Sequence, residues 1–488
     1  MFHTPFFTPW RPHLAPLGSR TTKAVKQVGS FTLCQLEKCF APWVPPDLFP
    51  KTLEKANSRD QHYTRWRTFW CMIWQALNPN APGREVVRQL QALFKLEGGP
   101  TLSEEDGAYC RARARLELAE FPKALAATAK AADKCVQAGI SLLRGRPIKG
   151  ADGSSVTLPD MPKNRAAYPP IQCPKGPSFP MMRLVVLWSM VSGAIVALAH
   201  GSLLVSELSL LTLLTSQLAK GDILLGDRGF GNYALIALLQ HTLGVDFVGR
   251  PMRKIDGRRR LKRLGHNDWL IQWTKPFTSS PWLSVEQWLG LPQELTLRTV
   301  KGSLYRKGYR VRRVTTVTTL LDPQLYPAQE ILQAYLRRWR LEMCLDDIKT
   351  TLQMEMLRCH SPKMCQQEVF TRLIAHNLIR CTMAQAAAQH DVPLDQISFK
   401  GSVDAVRQFA QAMAQARSQK KRQDLWAELL KILAIDLLPD RPGRREPRAV
   451  KRKKNKYPRL NVPRHKFRDH PKRHDRRRNS RLRNLAAM

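Results

Sequence analysis

Apolar positions recur at helical spacing from Thr32 to about Leu143, and Ser103-Glu104-Glu105-Asp106 has the composition of a helix start. Within this stretch Arg65, Trp66, Arg67, Trp70 and Trp74 crowd together. Aromatics beside arginine can line a DNA groove, but a stripe at this spacing more often forms a core with basic flanks. The pattern then changes. Pro147–Leu158 reads as short apolar runs around Asp152, and Arg183–Val191 with Ala194–Ala199 reads as a hairpin turned at Ser192-Gly193. Ser206–Leu218 reads as a helix and Asp222–Leu225 as a buried strand. Asn232–Thr242 reads as a second helix and Val245–Val248 as a further strand. Strand, hairpin, helix, strand, helix, strand is the order of a mixed α/β sheet with helices on its faces.

Residues 251–326 break that rhythm with basic turns, four tryptophans and alternating segments such as Val311–Thr319, the pattern of a β-rich insertion. Gln329–Leu352 reads as one long helix, with further helices to about Leu438. The expected organisation has seven parts. A disordered start (1–30) is followed by a helical N-terminal domain that binds DNA (31–143) and the first part of an α/β core (144–250). The insertion (251–326), the second part of the core (327–390), C-terminal helices (391–440) and a disordered basic tail (441–488) complete it.

Charge sharpens this picture. The 488 residues carry 79 Lys+Arg against 39 Asp+Glu, a net of +40, which suits a polyanionic partner. Residues 440–488 hold 20 basic and 4 acidic residues, a net of +16, so the remainder keeps +24 without the tail. Ten cysteines include no Cys-x-x-Cys pair, and neither Cys34 with Cys39 nor Cys359-His360 with Cys365 has a second half at zinc-finger spacing. The longest apolar stretch, residues 181–218, is interrupted by Arg183, His200 and Glu207, so no membrane span is expected. A cytoplasmic protein is the expectation.

Three acids stand where chemistry can be done. Asp152 lies in a strand segment, Asp227 where an apolar strand ends before Arg228-Gly229, and Glu342 inside the long helix. Two carboxylates at strand ends and one from a helix can hold a pair of divalent ions for in-line phosphoryl transfer. Taken singly, each is better read as a turn or capping acid; it is their joint placement that points to chemistry. On the helix, Tyr335, Arg338 and Lys349 fall within about 60° of Glu342. That face presents a phenol and two cations beside a carboxylate, the equipment for gripping a phosphodiester, whereas a solvated charged face is the commoner fate of such residues. Arg337, Arg340 and Asp347 point elsewhere.

Tyr-x2-Arg-x3-Glu-x6-Lys, met in full by Tyr335, Arg338, Glu342 and Lys349, resembles the signature of the insertion-sequence-4-like bacterial transposases. DGSSV at Asp152, GDRGFGNY at Asp227, DIKTTL with LRCHSP at residues 347–362, HNLIR at His376 and EPRAVKR at Glu446 are similar to the same family. The resemblance implies an RNase H-like core interrupted by a β-strand insertion. It also implies two Mg2+ or Mn2+ ions held by Asp152, Asp227 and Glu342, and contacts from Tyr335, Arg338 and Lys349 to transposon-end phosphates. The substrate would be double-stranded DNA, both terminal inverted repeats and target, cut and rejoined in a paired complex of a protein homodimer. A tryptophan of the insertion would stack on a flipped base, with Trp269, Trp273, Trp282 and Trp288 as candidates; packing of the insertion is the plainer role for any one of them. Asp346, one turn after Glu342, stands where some relatives are basic, and His376 where many have Tyr. The competing readings are a non-transposing nuclease on the same fold, a defective or domesticated copy that binds without cutting, and a merely basic nucleic-acid-binding protein.

Overall fold

The computed structural model describes residues 32–49, 62–96, 101–136, 142–173, 176–253, 256–304, 312–416 and 418–439. The start at 1–30 and the basic tail at 441–488 lie outside the described residues.

Five helices come first: α1 (Thr32–Phe40), α2 (Arg65–Leu77), α3 (Gly83–Leu96), α4 (Gly107–Arg115) and α5 (Glu120–Cys135). Helix α2 begins where the Thr64 side chain accepts the Arg67 backbone N–H. Trp66, Trp70 and Trp74 are all buried, so this stripe is core and offers no groove face.

The sheet follows. Strands β1 (Arg146–Thr157), β2 (Met181–Ser189) and β3 (Ile195–Ser202) run antiparallel in succession, with the short helix α6 (Pro162–Ala167) between the first two. After α7 (Glu207–Thr212), strand β4 (Ile223–Gly226) lies parallel to β1. After α8 (Tyr233–Ala237), which runs on as a π-turn to Leu243, strand β5 (Asp246–Gly249) lies parallel to β4. The insertion contributes β6 (Arg260–Gly265), β7 (Asp268–Thr274), the short α9 (Val285–Leu289), β8 (Glu294–Leu304) and β9 (Arg312–Thr318). It is not a separate sheet. Val317 and Thr318 of β9 pair with Gly249 and Val248 of β5, giving one sheet in the order β3-β2-β1-β4-β5-β9-β8-β7-β6, with Leu142–Leu143 beside β1 as a tenth strand.

The long helix expected over 329–352 is two helices, α10 (Ala328–Arg337) and α11 (Trp339–Thr350). The chain tightens between them: Arg338 N–H donates to Tyr335 O and Leu341 N–H to Arg338 O, three-residue bonds that interrupt the α-helical ladder. Packing is the reason. Helix α10 lies on β5, β8 and β9, whereas α11 lies on β1. Then come α12 (Pro362–His390), α13 (Phe399–Gln415) and α14 (Gln419–Ile435).

Helix α12 is the spine of the helical side. It packs against α2, α4, α5 and α14, and residues of α1–α5 share one hydrophobic cluster with α12–α14 and one face of the sheet. Asn377 clasps three elements at once. Its Oδ1 accepts the Ile195 N–H (2.8 Å), and its Nδ2 donates to Leu125 O (3.2 Å), Thr128 Oγ1 (3.2 Å) and Ile195 O (2.9 Å). A buried amide with both ends satisfied fixes one register between α5, β3 and α12. The opposite face of the sheet is covered by a second cluster that includes Leu210, Leu211, Phe230, Leu235 and Trp288.

Within the insertion, an ion pair with almost no exposure ties its strands to the segment that follows them. Arg298 donates to Asp268 through Nε (2.8 Å) and Nη2 (2.5 Å), and its Nη1 donates to the carbonyls of Tyr326 (2.7 Å), Asp322 (3.2 Å) and Leu320 (3.4 Å). One side chain thus fixes the segment that leads into α10.

Candidate active site

The parallel register places two of the expected acids level with each other. Gly150 of β1 pairs with Leu225 of β4, so Asp152 and Asp227, each two residues further on, stand side by side. Asp152 is held by the Gly153 backbone N–H on Oδ1 (2.9 Å). Asp227 leaves the end of β4 and closes a turn, accepting the N–H groups of Gly229 (2.7 Å) and Phe230 (3.3 Å). Strand β5 follows the same rule: Gly226 pairs with Gly249, which puts Arg250 beside Asp227.

Helix α11 brings the third acid. Glu342 accepts from Arg338 Nη2 at 2.6 Å, while Arg338 Nη1 lies 3.9 Å from Asp152 Oδ2. The guanidinium, 15% exposed, therefore joins the helix carboxylate to the strand carboxylate. Tyr335 is buried one turn before it, with the Arg338 guanidinium 5.8 Å from its ring centre. Close approach of α11 to β1 depends on Gly150, since a Cβ there would stand 2.4 Å from Leu341 Cδ1.

The electrostatics agree with this grouping. Burial pushes the Asp152 carboxyl up to about 6; Arg338 and the Gly153 N–H pull it down, and the charges of Asp227 and Glu342 push it up again. The Tyr335 hydroxyl is raised, mostly by burial, with Arg338 and Arg250 opposing and Asp227 adding to the rise. Burial works against the charge of Arg338, yet its hydrogen bond to Glu342 and the proximity of Tyr335 hold it above the usual value.

Asp152, Asp227, Glu342, Tyr335 and Arg338 thus fall in one electrostatic neighbourhood. Lys349 is half-buried two turns beyond Glu342 on α11. Asp346 is exposed, and Asp347 faces away toward Arg380, its carboxyl pushed up to about 6 by burial. The four tryptophans all belong to the insertion's packing. Trp288 is buried in the second cluster under Lys275, and Trp269, Trp273 and Trp282 pack against that cluster half-buried. Trp269 also lies beneath Arg260 (4.7 Å) and Arg263 (5.7 Å). Arg250 is the residue that sequence reading missed. A signal existed, because Asp227 and Arg250 each directly follow the glycine that ends a strand, Ile-Leu-Leu-Gly and Asp-Phe-Val-Gly.

Among the described residues no three His, Cys, Asp or Glu side chains stand close enough together to hold a metal ion as they are placed. The charges of Asp227 and Glu342 nonetheless bear on the Asp152 carboxyl, and Asp152 and Glu342 share the Arg338 guanidinium as counter-charge. An all-oxygen set with excess negative charge fits a hard divalent cation.

Residues 145–378, which contain all three acids and the helix that carries Glu342, match the transposase DDE domain. The chain is 26% identical over 429 residues, 85% of its length and 92% of the relative's, to the transposase InsG of insertion sequence element IS4 from Escherichia coli strain K12. The domain match and this relative support an IS4-like transposase of the DDE class. A solved piggyBac transposase synaptic complex with hairpin DNA is similar over 86% of this chain and 85% of that one, at 10% identity and a TM-score of 0.39. DDE transposases use divalent metal ions and act on DNA. No helix among the described residues is long and apolar enough to cross a membrane.

Proposed function

We propose that this transposase excises its element at the terminal inverted repeats and joins the freed 3′-hydroxyls to target DNA, on an RNase H-like core. The observation that carries the reading is the level placement of Asp152 and Asp227 on parallel strands, with Arg338 linking Asp152 to Glu342. The strand order β3-β2-β1-β4-β5, antiparallel then parallel, supports the RNase H-like assignment.

Asp152, Asp227 and Glu342 would hold two Mg2+ or Mn2+ ions, which when bound activate the attacking hydroxyl and stabilise the leaving oxygen. The remaining roles belong to the chain's own side chains. Arg338 balances the carboxylates and is placed to turn its fork onto the phosphate when a metal takes over that balance. Tyr335, its hydroxyl kept protonated, donates a hydrogen bond to a phosphate oxygen. Lys349 and Arg250 supply positive charge on either side. The helices of 31–143 read the repeat, residues 251–326 lie along the DNA end, and two protomers pair two ends. One of Trp269, Trp273, Trp282 or Trp288 stacks on a flipped base after leaving its packing. The site of action is the bacterial nucleoid.

The test is cleavage of a labelled duplex carrying the element's own terminal repeat, with Mg2+ or Mn2+, by wild type and Asp152→Ala. Metal-dependent cutting at the repeat boundary, lost in the variant, is expected. Binding without cutting by wild type would indicate a defective copy, and cutting at random positions a plain nuclease.

A further inference from the structure

A small cleft of about 50 Å3 opens between the end of α2, α4 and the start of α12, sharing no residue with the carboxylate site. Arg113, Arg358 and Arg372 line it against one acid, Glu368. Glu368 is already committed: it accepts the backbone N–H groups of Arg358 (2.9 Å) and Cys359 (3.1 Å) and the Arg372 Nη1 (2.5 Å). Of the three cations only Arg372 hydrogen-bonds this carboxylate, while Arg113 feels its charge without a bond to it. Arg358, exposed at the rim, donates to the carbonyls of Ala81 and Pro79. Arg113 is 8% exposed and its hydrogen bond goes to Cys359 Sγ at 3.0 Å. That thiol is pushed up to about 12, first by burial and then by Glu368, so at neutral pH it carries no charge to answer the guanidinium. The Nε atoms of Arg113 and Arg372 are buried without an acceptor. Buried guanidiniums are otherwise paired and hydrogen-bonded.

We propose that this cleft binds a phosphate group, held by Arg113 and Arg372 from its floor and by Arg358 from its rim. Planar guanidinium forks match a tetrahedral oxyanion, and the residues come partly from Leu-Arg-Cys-His-Ser-Pro (357–362), a segment the catalytic reading leaves without a role. The phosphate is either a backbone phosphate of bound DNA or free inorganic phosphate. The site does not depend on the catalytic proposal.

The experiment is thermal unfolding of the full chain in inorganic phosphate against chloride at equal ionic strength and pH, for wild type, Arg358→Gln and Arg113→Met. Phosphate is expected to raise the wild-type Tm above chloride, with the increment reduced in Arg358→Gln and absent in Arg113→Met. An equal increment in all three, or none in wild type, overturns the proposal. If Arg113→Met does not fold, the exposed Arg358→Gln decides alone. A second measurement separates the sources. Loss of about one unit from the slope of log Kd against log salt for DNA binding in Arg358→Gln assigns the cleft to a DNA phosphate. An unchanged slope with the phosphate increment reduced assigns it to the free ion.

Discussion

Gly150→Ala tests whether the seating of α11 on β1 sets the catalytic geometry. The added Cβ would stand 2.4 Å from Leu341 Cδ1 and 3.2 Å from Cδ2, where ordinary contact begins at 3.4 Å. Leu341 is 1% exposed, so in a close-packed interior the contact is relieved by a shift of about 1 Å in its side chain and the helix that carries it. Glu342 is the next residue, and its bond to Arg338 and the reach of Arg338 to Asp152 shift with it. A misplacement of about 1 Å can cost on the order of 100-fold in rate, while overpacking costs about 1–3 kcal/mol of stability. The variant should therefore fold, bind repeat DNA as wild type does, and cut it on the order of 100-fold more slowly. Adding Leu341→Ala makes room for the methyl and should recover part of the lost rate, although Leu341→Ala alone opens a cavity costing about 2–5 kcal/mol. The assay is single-turnover cleavage of the labelled repeat duplex alongside thermal unfolding. Wild-type cleavage by Gly150→Ala, or a loss of rate that Leu341→Ala does nothing to relieve, would refute the reasoning.

Other perturbations probe other layers. Glu342→Gln should abolish cleavage and leave end binding intact in a gel-shift assay; lost binding with an unchanged fold would count against a mainly catalytic role. Arg298→Met strands a buried Asp268 and should cost about 3–5 kcal/mol by denaturant titration, more than the paired change Arg298→Met/Asp268→Leu. His376 is fully buried between Trp188 and Phe399, and burial, then the nearby Arg380, lowers its ring to about 3 from 6.5. The unfolded chain therefore takes up the proton first, so the stability this site contributes is complete above about 6.5 and falls as pH drops toward 3. Between pH 7.5 and 5 wild type should lose about 2 kcal/mol that His376→Phe retains; equal losses would show that the ring does not titrate this way.

Periodicity located the core because each sheet element carries its own pattern. The expected strands at 147–158, 222–225 and 245–248 differ from β1, β4 and β5 by a residue or so, and Ser192-Gly193 does turn the hairpin. Two features were hidden because they arise between elements. The break at Arg338 comes from α10 and α11 packing on different strands, and nothing in a continuous helical repeat records that. The join of β9 to β5 is likewise a pairing between strands more than 60 residues apart. At the site the four-residue pattern put Tyr335, Arg338, Glu342 and Lys349 on one face of a single helix, a geometry that assumed no break at Arg338 and could not place Arg338 against Asp152. For Arg250 the one sequence hint is the strand-ending glycine before it, as before Asp227, and the strand register is what sets the two side by side.

The clasp at Asn377 has a consequence for how the chain is made. Leu125 and Asn377 are 252 residues apart, and at about 5–20 residues per second a ribosome needs on the order of 10–50 s to supply the second after the first. Throughout that interval the apolar faces of α2 and α5 have emerged without the helix that covers them. A nascent chain that stops short of α12 cannot complete the N-terminal helical core, so truncated products are substrates for proteases and not stable DNA-binding fragments.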